Sequence, residues 1–298
     1  MATMSYESRP SKTVVRRVFF ESLRHLKVIA AFADYQYVGF GALEFIDFDM
    51  AHRSLGIESM VSIERDVHIE RYEWNRPFNG IDILSGTSSD ILPTLDWSRL
   101  SIVWLDYTDT LNKEVIRDVE MLLRVLIPGS VLAVTVNAHP VHLGERVEAL
   151  NSAIGPDRVP LRMTESRLGG WGMAEVQWEV LNSAISETMS SRGDGTNWNQ
   201  ILNLRYQDAA KMQMIVGVVG SDDFRETLDS CRFEELAELR REDDALVVNV
   251  PMLTRRERDW INQRLPAVGA VADISLPGVK VREIDDYKRI YRWLEATS

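Results

Sequence analysis

The chain has 298 residues, of which 45% are hydrophobic, and its formal net charge is −11. This length suffices for one large α/β domain with additions or for two small domains. No apolar run approaches the roughly 20 residues needed to span a bilayer, and the negative charge argues against a broad phosphate-binding surface. The one cysteine, Cys231, excludes an intrachain disulfide. We therefore expect a cytoplasmic protein without a membrane partner.

The first 30 residues are basic, with six lysines and arginines against two acidic residues. Val15, Phe19 and Leu23 recur at helical spacing, which predicts an amphipathic helix over residues 12–27 that packs at the sheet edge. Its basic face is either solvated or a surface for a polyanion. The second alternative leaves nucleic acid open as a partner.

Residues 37–44, with the sequence YVGFGALE, predict a strand that turns through two glycines into a helix. Gly39 and Gly41 allow the backbone to pass close to a ligand, and the amides at the helix N-terminus can bind an anionic group. Glu64 ends the next predicted strand, 23 residues after Gly41, where a carboxylate would accept hydrogen bonds from ribose hydroxyls. This arrangement predicts a nucleotide-type site. A dinucleotide fingerprint requires glycine at position 44, which is Glu44, so a nicotinamide cofactor is the weaker alternative.

The remaining pattern alternates buried apolar runs with helices. The five predicted strands span residues 35–38, 57–63, 81–84, 101–105 and 131–136. Their alternation with helices implies a parallel sheet wound by right-handed crossovers. Two later runs, 200–206 and 212–219, are joined by about five residues, a link that allows an antiparallel hairpin and forbids a parallel crossover.

Three segments lie outside this predicted sheet. The predicted division is an N-terminal helix over 1–27, a main domain over 28–220 that includes an insertion or cap at 138–196, and a C-terminal α/β extension over 221–298. Within the insertion, Trp171 lies in a Gly-Gly-Trp-Gly run and is expected either to approach the ligand as part of a lid or to pack inward. The extension is predicted to contain helices over 224–239, 254–265 and 285–294 and a strand over 245–250.

Several of these motifs together resemble a class I S-adenosylmethionine-dependent methyltransferase over residues 28–220. The resemblance is carried by Gly39 to Gly41, Glu64 with Asp66, Gly86-Thr87, Asp106 and the hairpin. The chain also looks like bacterial O-methyltransferase-like proteins, which share an Arg-Pro-x-Lys opening like residues 9–12 and a Gly-Phe-Gly run. The resemblance implies a Rossmann-like α/β fold of five parallel strands and an antiparallel C-terminal hairpin, with helical additions. Two departures stand at Tyr37, where the family usually has an acid, and at Leu43, where it has a third glycine.

The resemblance also implies S-adenosylmethionine as the cofactor. The implied cofactor-binding residues are Gly39, Phe40, Gly41, Glu64, Arg65, Thr87 and Ser88. Backbone amides of the glycine turn would hold the methionine part, and Glu64 would take the ribose hydroxyls. Thr87 and Ser88 would face the adenine, although many family members have an aspartate at the position of Thr87.

Three residues are candidates for the chemistry of transfer. Asp106 and Tyr107 directly follow the fourth predicted strand, at the edge where open α/β sheets bind ligands. Asp106 would either position the nucleophile or a metal, or cap the next turn. His139 follows the fifth strand and is either a general base or a solvated loop residue. A catechol-type metal site would need an Asp-Asn pair at 136–137, where the sequence has Val-Asn, so no metal is predicted.

Two functions fit this sequence. The first is an enzyme that transfers a methyl group from S-adenosylmethionine to an oxygen or nitrogen of a small-molecule or protein acceptor. The second is a binding or regulatory protein on the same fold with weak or no catalysis, which the departures at Tyr37, Leu43 and Thr87 favour. We predict the enzyme, with the segments outside the sheet forming the acceptor site or the interface of a homo-oligomer.

Overall fold

The computed structural model describes residues 9–65, 68–266 and 275–294. Within them, a sheet of eight strands has the order β3-β2-β1-β4-β5-β7-β6-β8. The strands are β1 Gln36–Gly39, β2 Ser59–Glu64, β3 Ile81–Ser85, β4 Ser101–Thr110, β5 Val131–Asn137, β6 Thr196–Gln207, β7 Lys211–Ser221 and β8 Leu246–Val248.

The helices surround this sheet. They are α1 Pro10–Leu23, α2 Ile46–Met50, α3 Ile69–Asn75, α4 Ser88–Ile91, α5 Lys113–Val125, α6 Arg146–Ile154, α7 Gly172–Arg192, α8 Arg225–Ser230, α9 Arg255–Asn262 and α10 Val281–Ile290. A 3₁₀ turn, Arg24–Val28, continues α1, and a π-helical turn, Ala51–Leu55, continues α2. No helix in the described ranges is both long and apolar enough to cross a membrane.

The predicted topology of the sheet is confirmed. Strands β1 to β5 pair in parallel, β7 runs antiparallel to β5, and β6 runs antiparallel to β7. The eighth strand was not expected in this sheet: β8 pairs in parallel with β6, with Leu204 opposite Leu246. The region after residue 220 therefore contributes a strand to the same sheet.

Each face of the sheet is covered by helices because successive strand side chains point to opposite faces. On one face, Tyr37 and Trp104 lie in a cluster with Phe19 of α1, whose ring is 5.0 Å from the Trp104 ring. On the other face, Val103 and the α5 residue Val119 belong to a second cluster that also includes α7. The carboxyl ends of β1 to β5 consequently lie together at one edge of a two-sided core.

Two predictions about helices need correction. The N-terminal helix was expected at the sheet edge, but α1 packs across a face of the sheet and contacts β6 and β8. The helix predicted over 224–239 is broken, since α8 ends at Ser230 and Arg232 adopts the left-handed conformation with φ 52°. A 3₁₀ turn, Phe233–Glu235, follows instead and buries Phe233.

The helices near the C-terminus agree more closely with the sequence pattern. Thr254 and Glu257 form the predicted capping box at the start of α9. The last helix, α10, begins at Val281, four residues before the predicted start. Ile261, Ile284 and Tyr287 form a small cluster between these two helices.

Candidate functional site

A cavity of about 370 Å³ opens at the carboxyl ends of β1, β2, β3 and β4. Its lining comprises Phe40, Ala42, Ile63, Glu64, Arg65, Tyr72, Thr87, Ser88, Ser89, Asp106, Tyr107, Thr108, Asp109, Asn112, Glu114 and Val115. This volume lies within the range of small-molecule and cofactor sites. Most of the residues predicted for cofactor binding line the cavity, so the fold brings together residues from four separate turns.

The turn after β1 is built around Gly41. Ala42 and Phe45, which follow, both adopt the left-handed conformation, with φ 49° and 48°. A Cβ atom on Gly41 would lie 2.6 Å from the Phe45 ring and 2.6 Å from Ser62 Oγ. Glycine is therefore required here by packing within the protein, whereas the sequence argument attributed it to a close approach of the ligand.

Glu64 connects the end of β2 to this turn. Its Oε1 atom accepts hydrogen bonds from the Gly41 backbone N–H at 2.8 Å and from Ser62 Oγ at 2.7 Å. The Glu64 side chain is buried, and it lines the cavity. The two residues that the sequence paired across 23 positions thus meet in the fold. Asp66, which was grouped with Glu64, lies outside the described residues.

Behind the cavity wall lies Asp118, a residue that the sequence reasoning missed. Its buried carboxylate accepts hydrogen bonds from Ser88 Oγ at 2.5 Å, Ser89 Oγ at 2.7 Å and Tyr107 Oη at 2.6 Å. It joins α5 to the turn after β3 and to β4. A signal was present, because Asp118 is a charge on the apolar face of α5, three residues after Val115.

Tyr107 is held by this network. Burial, reinforced by the neighbouring Asp118 carboxylate, holds the pKa of Tyr107 well above its usual value of 10. Its ring lies edge-on to that of Phe40, with the centroids 5.2 Å apart. Because its hydroxyl donates to Asp118, Tyr107 is part of the cavity wall and is poorly suited to remove a proton at neutral pH.

Asp106 forms a buried ion pair with Lys12 of α1. A second buried ion pair joins Arg16 to Asp47 of α2. The sequence predicted that the basic face of the N-terminal helix is either solvated or binds a polyanion. Two of its charges instead pair with carboxylates of the protein itself. Burial raises the pKa of Asp47, and the adjacent Arg16 opposes that shift. Within the described residues, Asp106 Oδ1 is buried and has no hydrogen-bond partner.

The remaining site predictions fall at different places. Arg65 lines the cavity and lies 3.6 Å from Asp109. His139 is exposed and does not line the cavity. Residues 167–173 do not line the cavity either, and the Trp171 ring lies 5.6 Å from Lys211 Nζ at the hairpin. The structure therefore does not show the predicted approach of this segment to the site.

Residues 9–65, 68–266 and 275–294 contain no group of three or more His, Cys, Asp or Glu side chains that could hold a metal ion. The acidic residues of the cavity are spread along its wall. Asp109 pairs with Arg65, and Asp106 pairs with Lys12.

Residues 4–295 match the profile of a family described as "Putative O-methyltransferase". The chain belongs to this family. The family membership predicted from the glycine turn, Glu64, Asp106 and the hairpin is therefore confirmed. The O-methyltransferase family assignment covers almost the whole chain, including α1 and the region after β7. A search of curated proteins returns no match.

Solved methyltransferase structures are among those that match this structure. Trm1 from Pyrococcus horikoshii with S-adenosyl-L-methionine is 12% identical, with a TM-score of 0.48 over 77% of this chain and 61% of Trm1. The O-methyltransferase from Bacillus cereus in complex with SAH is 13% identical, with a TM-score of 0.38 over 73% of this chain and 82% of that chain. This member of the O-methyltransferase family thus spans less than two thirds of Trm1.

Proposed function

We propose that this protein transfers a methyl group from S-adenosylmethionine to an oxygen atom of a small-molecule acceptor. One observation supports this most strongly: Glu64, which accepts a hydrogen bond from the Gly41 amide, lies on the wall of a cavity formed by the ends of four parallel strands. Membership of the O-methyltransferase family supports oxygen as the acceptor atom.

The residues of the cavity fit this cofactor. The Glu64 carboxylate lines the cavity, and a carboxylate has about four acceptor sites, so ribose hydroxyls are the kind of donor that it suits. Phe40 and Tyr72 supply apolar surface, while Thr87 and Ser88 supply polar groups for the base. The turn contributes Phe40 and Ala42 to the cavity wall, whereas Gly39 and Gly41 are not among its lining residues and the Gly41 amide donates to Ser62 and Glu64.

The protein contributes positioning more than acid–base chemistry. When bound, S-adenosylmethionine supplies a methyl group activated by a positively charged sulfur. Catalysis of such an in-line displacement depends mainly on the alignment of the two reactants. The cavity wall carries the carboxylates of Glu64, Asp106, Asp109 and Glu114, of which Asp106 pairs with Lys12 and Asp109 with Arg65. Four carboxylates against two cations favour a cationic ligand.

Asp106 is the residue best placed to orient an acceptor hydroxyl. Lys12 pairs with Oδ2, and the Asp106 side chain lines the cavity. Within the described residues, Oδ1 is buried and has no hydrogen-bond partner. A buried carboxylate oxygen without a partner is costly unless a donor completes it. Because Oδ1 is enclosed, an acceptor hydroxyl would reach it only after the side chain turns this oxygen toward the cavity, and the hydroxyl would then donate to Asp106.

The second candidate is a methyltransferase-fold binding protein with weak or no turnover. The three residues predicted to act in the transfer favour this candidate. The Tyr107 hydroxyl donates to Asp118, and Asp106 pairs with Lys12. His139 does not line the cavity. Such a protein would bind the cofactor without transferring its methyl group.

Calorimetry with S-adenosylmethionine and S-adenosylhomocysteine tests the cofactor. We expect both to bind, and Asp106→Asn to bind S-adenosylhomocysteine with little change. Turnover is then assayed as release of S-adenosylhomocysteine with panels of hydroxylated small molecules, amines and proteins. No binding at millimolar concentration would reject the proposal. Binding without turnover on any panel would support the second candidate.

A further inference from the structure

Four hydroxyl groups lie side by side on the cavity wall. We call Thr87, Ser88, Ser89 and Tyr107 the hydroxyl wall. The first three come from the turn after β3 and the start of α4, and Tyr107 comes from β4. Side chains of this kind can normally donate or accept a hydrogen bond by rotating the hydroxyl proton.

Every member of the hydroxyl wall donates to a carboxylate. Ser88, Ser89 and Tyr107 donate to Asp118 at 2.5, 2.7 and 2.6 Å. Thr87 Oγ1 donates to Asp90 Oδ2 at 2.6 Å. Asp118 is 3% exposed and lies behind the wall, so its contacts are sheltered from water.

These contacts fix the polarity of the wall. An ionised carboxylate has acceptor sites and no donor, so a hydroxyl within hydrogen-bond distance of it must point its proton toward it. Each hydroxyl has one proton, and that proton is then committed. What remains for a ligand in the cavity is the oxygen lone pairs, which only accept.

We propose that Asp118 is a specificity-determining residue: by taking the protons of Ser88, Ser89 and Tyr107, it makes this wall select a purine that carries an exocyclic amino group over one that carries an oxo group. The inference rests on the proposed function, in which the adenine of the cofactor faces Thr87 and Ser88. An amino group donates to the wall, whereas a carbonyl oxygen would meet lone pairs. Sites built to pair with a polar group discriminate strongly against a ligand that mismatches it.

The test compares S-adenosylhomocysteine with its 6-oxo analogue, S-inosylhomocysteine, by calorimetry. We expect the full-length protein to bind S-adenosylhomocysteine at least about tenfold more tightly, the ratio expected for one mismatched hydrogen bond. In Asp118→Asn the amide can donate as well as accept, which frees the hydroxyls to turn toward the ligand. The ratio should then fall to about threefold or less.

Asp194→Asn is the matched control, because Asp194 also accepts a hydroxyl hydrogen bond, but from Thr196, which does not line the cavity. It should keep the wild-type ratio. If Asp118→Asn does not fold, Ser88→Ala and Ser89→Ala each remove one acceptor of the wall and should lower the ratio in the same direction.

The outcomes separate the two proposals. Failure of the wild-type protein to bind S-adenosylhomocysteine would refute the proposed function. Tight binding of S-adenosylhomocysteine with no discrimination against the analogue, or with a wild-type ratio retained in the folded Asp118→Asn variant, would overturn the role of Asp118 alone.

Discussion

The Glu64 side chain both stabilises the glycine turn and lines the cavity. Its Oε1 atom satisfies the buried Gly41 N–H, and the same carboxylate faces the cavity. Removing it therefore has two consequences that must be separated. A loss of ligand affinity in an alanine variant would by itself say little about ribose recognition, because the glycine turn would lose its anchor as well.

We predict that Glu64→Gln and Glu64→Ala differ. The glutamine keeps a carbonyl oxygen for Gly41 and loses only the charge, so S-adenosylhomocysteine should bind about tenfold more weakly with little change in stability. The alanine removes the carboxylate that accepts from both Gly41 N–H and Ser62 Oγ, although the Gly41 amide keeps Ser62 Oγ as an acceptor at 2.9 Å. It should therefore also lower the free energy of unfolding by about 1–3 kcal/mol. Calorimetry and urea denaturation give the two quantities. Equal affinity of Glu64→Gln and wild type would contradict a role in binding.

The second residue-scale prediction concerns the buried pair of Lys12 and Asp106. Both side chains are about nine-tenths buried, so Lys12→Met leaves an uncompensated carboxylate and should lower the free energy of unfolding by about 3–5 kcal/mol. Adding Asp106→Asn removes that charge and should recover much of the loss. The measurement is urea denaturation of the two single variants and the double variant. A cost below about 1 kcal/mol for Lys12→Met would show that the pair is solvated.

At the scale of elements, sequence periodicity sufficed for the parallel strands and the hairpin, because each is a continuous buried run whose link length limits the topology. It did not suffice for α1, since nothing near Lys12 or Arg16 in the sequence indicates carboxylates 94 and 31 residues away. The three-residue strand β8 was missed as a sheet member for the same reason: its partner is β6, about 40 residues earlier.

Some residues of the candidate site could also be predicted from the sequence, and others could not. The glycine turn, Glu64 and Asp106 could be predicted because they follow strands directly, and the ends of parallel strands share one edge. Asp118 lies in the middle of α5, where a polar residue normally signals only an imperfect apolar face. Its role depends on three hydroxyls from other elements, which no local pattern specifies.

The hairpin is predicted to act as the cap of α1. The side chain of Arg9, the N-cap residue, makes no capping hydrogen bond. Asp208 instead accepts from the backbone N–H groups of Ser11 and Lys12, both at 3.0 Å. Asp208→Ala should lower the free energy of unfolding by about 1–2 kcal/mol, the usual cost of a lost cap. Hydrogen exchange at the start of α1 should also accelerate. Asp157→Ala, in an exposed 3₁₀ turn, is the control and should be near neutral.

The turn between α7 and β6 should make the protein sensitive to acid. Hydrogen bonds from the Thr196 hydroxyl and from Arg192 hold the pKa of Asp194 below its ordinary value. A carboxylate whose pKa is lower in the folded state stabilises the fold above its unfolded pKa near 4 and loses that contribution as the pH falls through its folded pKa. Asp194→Asn should therefore show a smaller fall in Tm below pH 4 than wild type. Parallel curves for both would contradict this assignment.

At the scale of the whole molecule, the region after residue 220 completes the core. Strand β8 covers the outer edge of β6, and Phe233, Val248 and Ile290 belong to the cluster that includes α1. Arg17 of α1 donates to the Trp293 carbonyl at 2.7 Å. Leu294 packs against both this cluster and the small cluster between α9 and α10. Helix α1 and the described region after residue 220 thus depend on each other for burial.

We therefore predict that the chain unfolds as one cooperative unit and that a variant ending at Ser221 does not form a stable fold. Removing the later residues would expose the outer edge of β6 and the apolar side of α1. Calorimetry of the full chain should give equal calorimetric and van't Hoff enthalpies. The truncated chain should lack a sharp transition and bind S-adenosylhomocysteine poorly, although every cavity-lining residue precedes the truncation. A truncated chain that melts and binds like the full protein would instead establish the C-terminal region as an independent extension.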